Sequence, residues 1–278
     1  MQSPADIRRA WRPTSLMASI PDGQQAANIA GRARVDGGVL TPSPATRPID
    51  PTRDARTLDF IVEPGFLPPA QCDRLLRVFD VLHQQTRHRK TPIPFWDGRI
   101  VYITDVVRHD PGAAAIMADF QRRTAERLSD VYQLSAPLFT DTVQLNIWEE
   151  GQCLPPHVDN ANPGGEPHPS YWRDFSSIVY LNDDYEGGEL YFTAQDRTLR
   201  PRKGMLVAFS AGYWHEHGVL TVTRGRRIAM PAFYTFWPRK ADATVHPETQ
   251  AVGQAEAPLP PAALPGLGGG PRWTPPKL

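Results

Sequence analysis

Arg173-Asp174-Phe175-Ser176-Ser177-Ile178-Val179-Tyr180-Leu181-Asn182-Asp183-Asp184-Tyr185-Glu186-Gly187-Gly188-Glu189-Leu190-Tyr191-Phe192 holds two short apolar runs, Ile178–Leu181 and Glu189–Thr193, around a polar turn. Short runs rich in β-branched and aromatic residues, bounded by turn formers, read as strands. The Glu186-Gly187-Gly188-Glu189 element supplies the tight turn between them, because glycine tolerates backbone angles that other residues resist. Outward from this segment the pattern repeats at Val143–Trp148, Met205–Ser210 and Ile228–Phe236. Pro231 within the last run predicts an edge or bulged strand, since proline offers no N–H to a ladder.

Upstream the period changes. Leu58–Val62 still reads as a strand. Pro68-Pro69 then opens a helix with Cys72, Leu75, Leu76, Phe79 and Leu82 along one stripe. A second helix spans about Ala113 to Tyr132, with Ile116, Phe120, Ala125, Leu128 and Val131 on or near one face. Helices first and strands afterwards, without βαβ alternation, predict an α+β fold. The expected architecture is a double-stranded β-helix, or jelly roll, with supporting N-terminal helices.

Prolines and glycines concentrate at the ends of the 278-residue chain. Residues 1–56 read as a Pro-rich extension, 57–242 as the folded domain and 243–278 as a low-complexity Pro/Gly tail. The 30 basic and 30 acidic residues cancel, so no nucleic-acid partner is expected. No apolar run approaches the roughly 20 residues of a membrane helix, so no membrane association is expected either. The start of the chain, with Arg8, Arg9 and Arg12, makes a poor secretory signal; an organellar transit peptide is the weaker option. Two cysteines, Cys72 and Cys153, form no disulfide framework, and a reducing cytoplasm is the expected location. The oligomeric state is open.

The chemistry sits on either side of this segment. His157-Val158-Asp159 precedes it and His217 follows it. In a strand, residues i and i+2 face the same side, roughly 6–7 Å apart. Two histidines and one carboxylate can occupy one triangular face of an octahedral ion, the donor set of non-haem Fe(II) oxygenases. Alone, His-x-Asp means little. His217 is followed by Gly218-Val219-Leu220-Thr221-Val222-Thr223-Arg224-Gly225-Arg226-Arg227, which sets a fixed cation downstream.

Three segments in register carry a resemblance: Gly151–Asp159, Arg173–Phe192, and Lys203-Gly204 through His217 to Arg227. They resemble the prolyl-hydroxylase-like group of Fe(II)/2-oxoglutarate dioxygenases, most closely the catalytic domain of the prolyl 3-hydroxylase (leprecan-type) branch. In that branch, too, Asp-Asn follows the first histidine, as in Asp159-Asn160. The resemblance implies that His157, Asp159 and His217 bind Fe(II), and that Arg227 grips the far carboxylate of 2-oxoglutarate. An arginine fork suits a carboxylate. It also implies use of O2, ascorbate as reductant, release of succinate and CO2, and hydroxylation of an unactivated C–H bond. The substrate would be a prolyl or other amino-acid-type group, small-molecule or peptidyl: free, in a peptide, or in a natural-product intermediate. Desaturation or ring formation is the alternative within the group. A metal-binding jelly roll without oxygenase activity, or a Zn hydrolase, is the alternative outside it. In related halogenases the carboxylate position is a small residue, so Asp159 favours hydroxylation over halogenation.

Several neighbours compete for these roles. His215 rivals His217, but the family spacing is counted from His217; His215 is expected to support the site or lie on the surface. Arg226 should face away from Arg227, and Arg224 should lie in the preceding turn. Relatives commonly carry tyrosine at the position of Trp148 and threonine at that of Leu190. Trp148, whose indole N–H remains a donor, and Asn146 and Tyr180 are therefore the candidate co-substrate contacts here. His168 is a loop residue with a possible substrate-side role, and Trp96 or Arg99 stands at the expected substrate entrance. Phe209, Trp214, Phe233, Tyr234 and Phe236 are core candidates, and Cys153 a small buried hydrophobe near the metal.

Overall fold

The computed structural model describes residues 46–50, 60–161 and 168–241, and the backbone of two short strands at 34–36 and 39–41. The tail 243–278, most of the extension 1–56 and the start of the Leu58–Val62 strand lie outside the described residues. The first strands are β1 (Arg34–Asp36), β2 (Val39–Thr41), β3 (Arg47–Pro48) and β4 (Ile61–Glu63). Helix α1 (Pro69–Thr86), strand β5 (Ile100–Tyr102), and helices α2 (Ile103–His109) and α3 (Pro111–Tyr132) follow. The remaining chain is nearly all strand: β6 (Phe139–Glu149), β7 (Leu154–His157), β8 (Phe175–Tyr180), β9 (Glu186–Gly187), β10 (Leu190–Phe192) and β11 (Arg197–Leu199). It closes with β12 (Leu206–Ser210), β13 (His217–Val219), β14 (Val222–Arg224) and β15 (Arg226–Thr235).

Two sheets form the body. A six-stranded sheet runs β4-β12-β8-β15-β6-β5, and a five-stranded sheet runs β3-β11-β10-β13-β7. Strand parity sorts the side chains between them. Val143, Leu145, Ile147, Ile228, Met230 and Tyr234 face the helices and share a core with Leu75, Phe79 and Phe120. Residues of opposite parity, among them Tyr180, Val207, Phe209 and Ala229, meet Leu190 and Phe192 between the sheets. Together with the likeness to solved structures given below, this is a double-stranded β-helix buttressed by helices, the expected α+β build.

Local chemistry explains the helix ends. Pro69 stands in the first turn of α1, where its missing N–H costs no bond. Asp110 caps α3 by accepting from the N–H groups of Gly112 and Ala113, both at 3.0 Å. The buried face of α3 differs from the expected stripe: Met117, Phe120, Gln121, Thr124 and Leu128 are buried, whereas Val131 is exposed. The short helix α2 was not expected.

Two further expectations are corrected. Pro231 lies in a central strand, not at an edge, since β15 is flanked by β8 and β6. Its missing N–H falls where pairing with β6 lapses, between Ala229↔Asn146 and Ala232↔Val143, and the register shifts shortly after, at Phe233/Tyr234. Arg224 lies in β14, paired with β9, rather than in a turn. The segment 46–50, inside the expected extension, joins the smaller sheet: β3 pairs in parallel with β11, and Ile49 is buried against Phe60, Leu199 and their neighbours.

Candidate metal centre and co-substrate pocket

Strands β7 and β13 build the metal end. They are antiparallel neighbours, and His157 and His217 are Cα partners across the pair. Their rings stand 4.6 Å apart between centroids. Asp159 reaches the same point from just beyond the end of β7, so strand parity does not place it. Its N–H instead donates to the Ala211 carbonyl across the fold, at 3.1 Å. The carboxylate lies 3.5 Å from His157 Nε2 and 3.8 Å from His217 Nε2. One ligand atom from each residue falls within 4.8 Å of the others.

Each ring is oriented through its other nitrogen. His157 Nδ1 meets the Pro155 carbonyl at 3.1 Å, and His217 Nδ1 meets the His215 carbonyl at 2.9 Å. A carbonyl accepts only, so both Nδ1 atoms carry the proton and both Nε2 lone pairs face Asp159. Ser176 Oγ donates to Asp159 Oδ2 at 2.6 Å. Burial pushes His217 down to about 4, which keeps its imidazole neutral. Burial also opposes the charge of Asp159, but the neighbouring histidines and Ser176 outweigh it and hold the carboxyl well below the usual range. Burial pulls His157 down too; the hydrogen bond and charge of Asp159 prevail and raise it. Two imidazoles fixed through Nδ1, with one ionised carboxylate beside them, fit a divalent first-row metal that takes the place of the proton Asp159 favours on His157.

His215 takes no part in this cluster. It is buried, not superficial, with Nδ1 2.7 Å from Ser210 Oγ and its ring against Phe60 and Phe209.

A cavity of about 270 Å³ extends from the triad between the sheets. Arg227 lines it and is 2% exposed. Its Cα is paired with that of Trp148, and Asn146 lies on the same face of β6; both line the cavity. Arg226, of opposite parity, makes a two-pronged bridge to Asp80 of α1 at 2.5 and 3.1 Å. Arg227 has no ion pair among the described residues, and its Nε and Nη2 have no hydrogen-bond partner. Asn146 Oδ1 and the hydroxyls of Tyr180 and Tyr185 are likewise buried and unpartnered. Burial of donors without acceptors costs about 1–3 kcal/mol per group, more for charged ones. The residues fit an anion with several acceptor oxygens, which a dicarboxylate supplies.

The predicted co-substrate contacts thus separate. Trp148 and Asn146 line the cavity, whereas Tyr180 stands behind Arg227, with the guanidinium carbon 5.0 Å from its ring centroid. Trp148 packs against Phe95 and Trp96. Trp96 lines the cavity; Arg99 does not, and stacks over the Phe95 and Trp148 rings instead. His168 also lines the cavity, with Nδ1 accepting from the Ser170 N–H at 3.0 Å, so its neutral ring carries a proton on Nε2. Phe233 is a cavity wall on which Arg173 stacks, while Trp214 is only partly buried. Ser176, Arg173 and Tyr185 were not singled out by sequence. Only strand parity could have pointed to Ser176, and nothing local to Tyr185.

Residues 143–235 match the model of the 2OG-Fe(II) oxygenase superfamily. The chain is 44% identical over 110 residues to human prolyl 3-hydroxylase 3, a match over 38% of this chain and 14% of that one. It is 40% identical over 136 residues to human prolyl 3-hydroxylase 1, a match over 41% of this chain and 18% of that one. The chain therefore spans well under a quarter of the length of these relatives. A similar solved structure is a Trichoplax adhaerens prolyl hydroxylase in complex with a hypoxia inducible factor oxygen degradation domain peptide fragment. Its TM-score is 0.50 at 16% identity, covering 73% of this chain and 90% of that one, a likeness of fold. The chain is thus similar to the 2OG-Fe(II) oxygenase superfamily over residues 143–235, the segment that carries His157, Asp159, His217 and Arg227.

Proposed function

We propose that the chain is an Fe(II)- and 2-oxoglutarate-dependent dioxygenase that hydroxylates a C–H bond of a prolyl-type substrate. The observation that carries this is the unpaired, buried Arg227 in the same cavity as the His157–Asp159–His217 triad. A hydrolase has no need of a cation placed for 2-oxoglutarate. The three residues would hold Fe(II), and Arg227, Trp148 and Asn146 would receive 2-oxoglutarate. When bound, the iron and 2-oxoglutarate supply activation of O2, with succinate and CO2 as by-products and ascorbate as the restoring reductant.

The protein's share is placement. Carbonyl acceptors at Pro155 and His215 fix the two imidazoles, and Ser176 fixes the carboxylate. Apolar walls at Trp96, Ile93, Pro169 and Phe233 suit a pyrrolidine ring and keep bulk water from the reacting carbon. His168 and Arg173 reach the same cavity and provide polar contacts for the rest of the substrate. The names of the prolyl 3-hydroxylase relatives support a prolyl group. Among the described residues, no helix is long and apolar enough to cross a membrane. Among the described residues, Cys72 and Cys153 are not joined by a disulfide, which supports a reducing, cytoplasmic setting. The test is mass spectrometry of prolyl peptides and free amino acids incubated with enzyme, Fe(II), ascorbate and 2-oxoglutarate. A product heavier by one oxygen, matched to succinate release, is expected. Absence of succinate would refute the reading.

A further inference from the structure

Glu216 stands between His215, whose carbonyl orients the His217 ring, and His217 itself. It is 5% exposed, and no ion pair among the described residues includes it. A polar group taken out of water costs free energy unless a partner replaces the solvent. Thr193 is that partner: its hydroxyl donates to Glu216 Oε2, and it is buried as well.

The sheet brings the two together. Phe192, the last residue of β10, is the Cα partner of His217, the first of β13. Thr193 and Glu216 continue that antiparallel register by one rung, with the Thr193 N–H donating to the Glu216 carbonyl at 3.1 Å. Successive strand residues face opposite ways. His217 faces the cavity, and the Thr193–Glu216 bond forms on the other side.

The His215 carbonyl and the Glu216 N–H belong to one planar peptide unit, so what fixes Glu216 also fixes the carbonyl. The N–H of that unit donates to the Tyr213 carbonyl at 3.2 Å, and Thr193 clamps Glu216 through backbone and side chain. Gln195, in the turn after β10, adds a tie to the same loop, its Nε2 donating to the Trp214 carbonyl at 2.5 Å. His157 has no such need. Its orienting carbonyl, Pro155, lies within its own strand β7, whereas His215 ends a 3-10 turn outside the sheet.

We propose that Glu216 and Thr193 are positioning residues of the metal centre. Their bond holds the 215–216 peptide so that the His215 carbonyl keeps the proton on His217 Nδ1 and aims Nε2 at the point shared with His157 and Asp159. This rests on reading the triad as a metal site. The test is Co(II) titration of the full chain, followed by the visible absorption of the bound ion, with melting of the metal-free protein beside it. Thr193→Val removes the hydroxyl with little change of shape and should weaken Co(II) about tenfold or more, the scale of losing an outer contact to a ligand histidine. Glu216→Leu should do the same. Glu216→Gln keeps an oxygen that accepts from Thr193 and should bind Co(II) as the wild type does. The two Glu216 variants decide the matter should Thr193→Val not fold. Unchanged Co(II) affinity and spectrum in Thr193→Val, even with lower melting, would overturn the assignment and leave the pair as a support of the fold alone. Equal losses in Glu216→Gln and Glu216→Leu would overturn it too, because only the first keeps the acceptor. A wild-type chain that binds no Co(II), or binds it no better than His217→Ala does, would instead overturn the reading of the triad.

Discussion

His157 and His217 are direct cross-strand partners in adjacent antiparallel strands, so one hydrogen-bonded ladder sets the separation of the two imidazoles. Sixty residues of sequence separate them, and the ladder brings their rings to 4.6 Å. A site built on paired strands is stiffer than one built on loops. The third member of the cluster, Asp159, is held instead by its backbone bond to Ala211 and its side-chain bond to Ser176.

Alanine at His157, Asp159 or His217 should therefore abolish stoichiometric Fe(II) binding, read by elemental analysis after gel filtration. His215→Ala should keep the metal, because the carbonyl that orients His217 belongs to the backbone. It should cost stability, since a buried ring packed on Phe60 and Phe209 is lost. Iron retained in His217→Ala and lost in His215→Ala would reverse the assignment.

Ser176→Ala removes the hydroxyl that orients the Asp159 carboxylate. Loss of such an outer contact typically weakens a metal site by about 10–100-fold. Competition with a chelator measures this directly, and melting should show the fold intact.

Arg227→Ala should raise the 2-oxoglutarate requirement by roughly thirtyfold or more, the scale of losing one partner of a buried charge pair. Arg226→Ala breaks only the half-exposed bridge to Asp80 and should change stability by less than about 1 kcal/mol, with 2-oxoglutarate binding unaltered. Equal effects in a 2-oxoglutarate titration would contradict the parity of β15.

The expected domain boundary at residue 57 carries its own test. A chain starting there lacks β3 and Ile49, whose burial contributes about 1.5–3 kcal/mol. Its melting temperature should fall below that of a chain beginning before Thr46, while iron binding persists. Identical melting of the two would show that the strap contributes nothing.

The grouping of His157, Asp159 and His217, the opposite facing of Arg226 and Arg227, and most of the strand-forming runs were legible because they depend on local signals: short apolar runs, a period of two, and motif spacing. Other features depend on pairings that no local pattern encodes. Pro231 looked like an edge residue because a central position is set by which strands pair, and the lapse opposite β6 accommodates it. Ile49 has no periodic apolar neighbours to announce its burial. Gln121 and Thr124 are polar, yet they face the sheet where Val131 was expected.

Asp159 bears on the outcome of the reaction as well as on metal binding. With a metal bound, its oxygen would take the position that a halide needs, and its charge would lower the metal's attraction for an added anion. Hydroxylation is accordingly expected even in chloride buffer. The most direct measurement is the product mass from the full chain with Fe(II), ascorbate, 2-oxoglutarate and prolyl peptides under 18O2 in chloride buffer. The account predicts one labelled oxygen in the product, with succinate released in equal amount and both lost in Asp159→Ala. A chlorinated product, a loss of two mass units without label, or no succinate at all would contradict it.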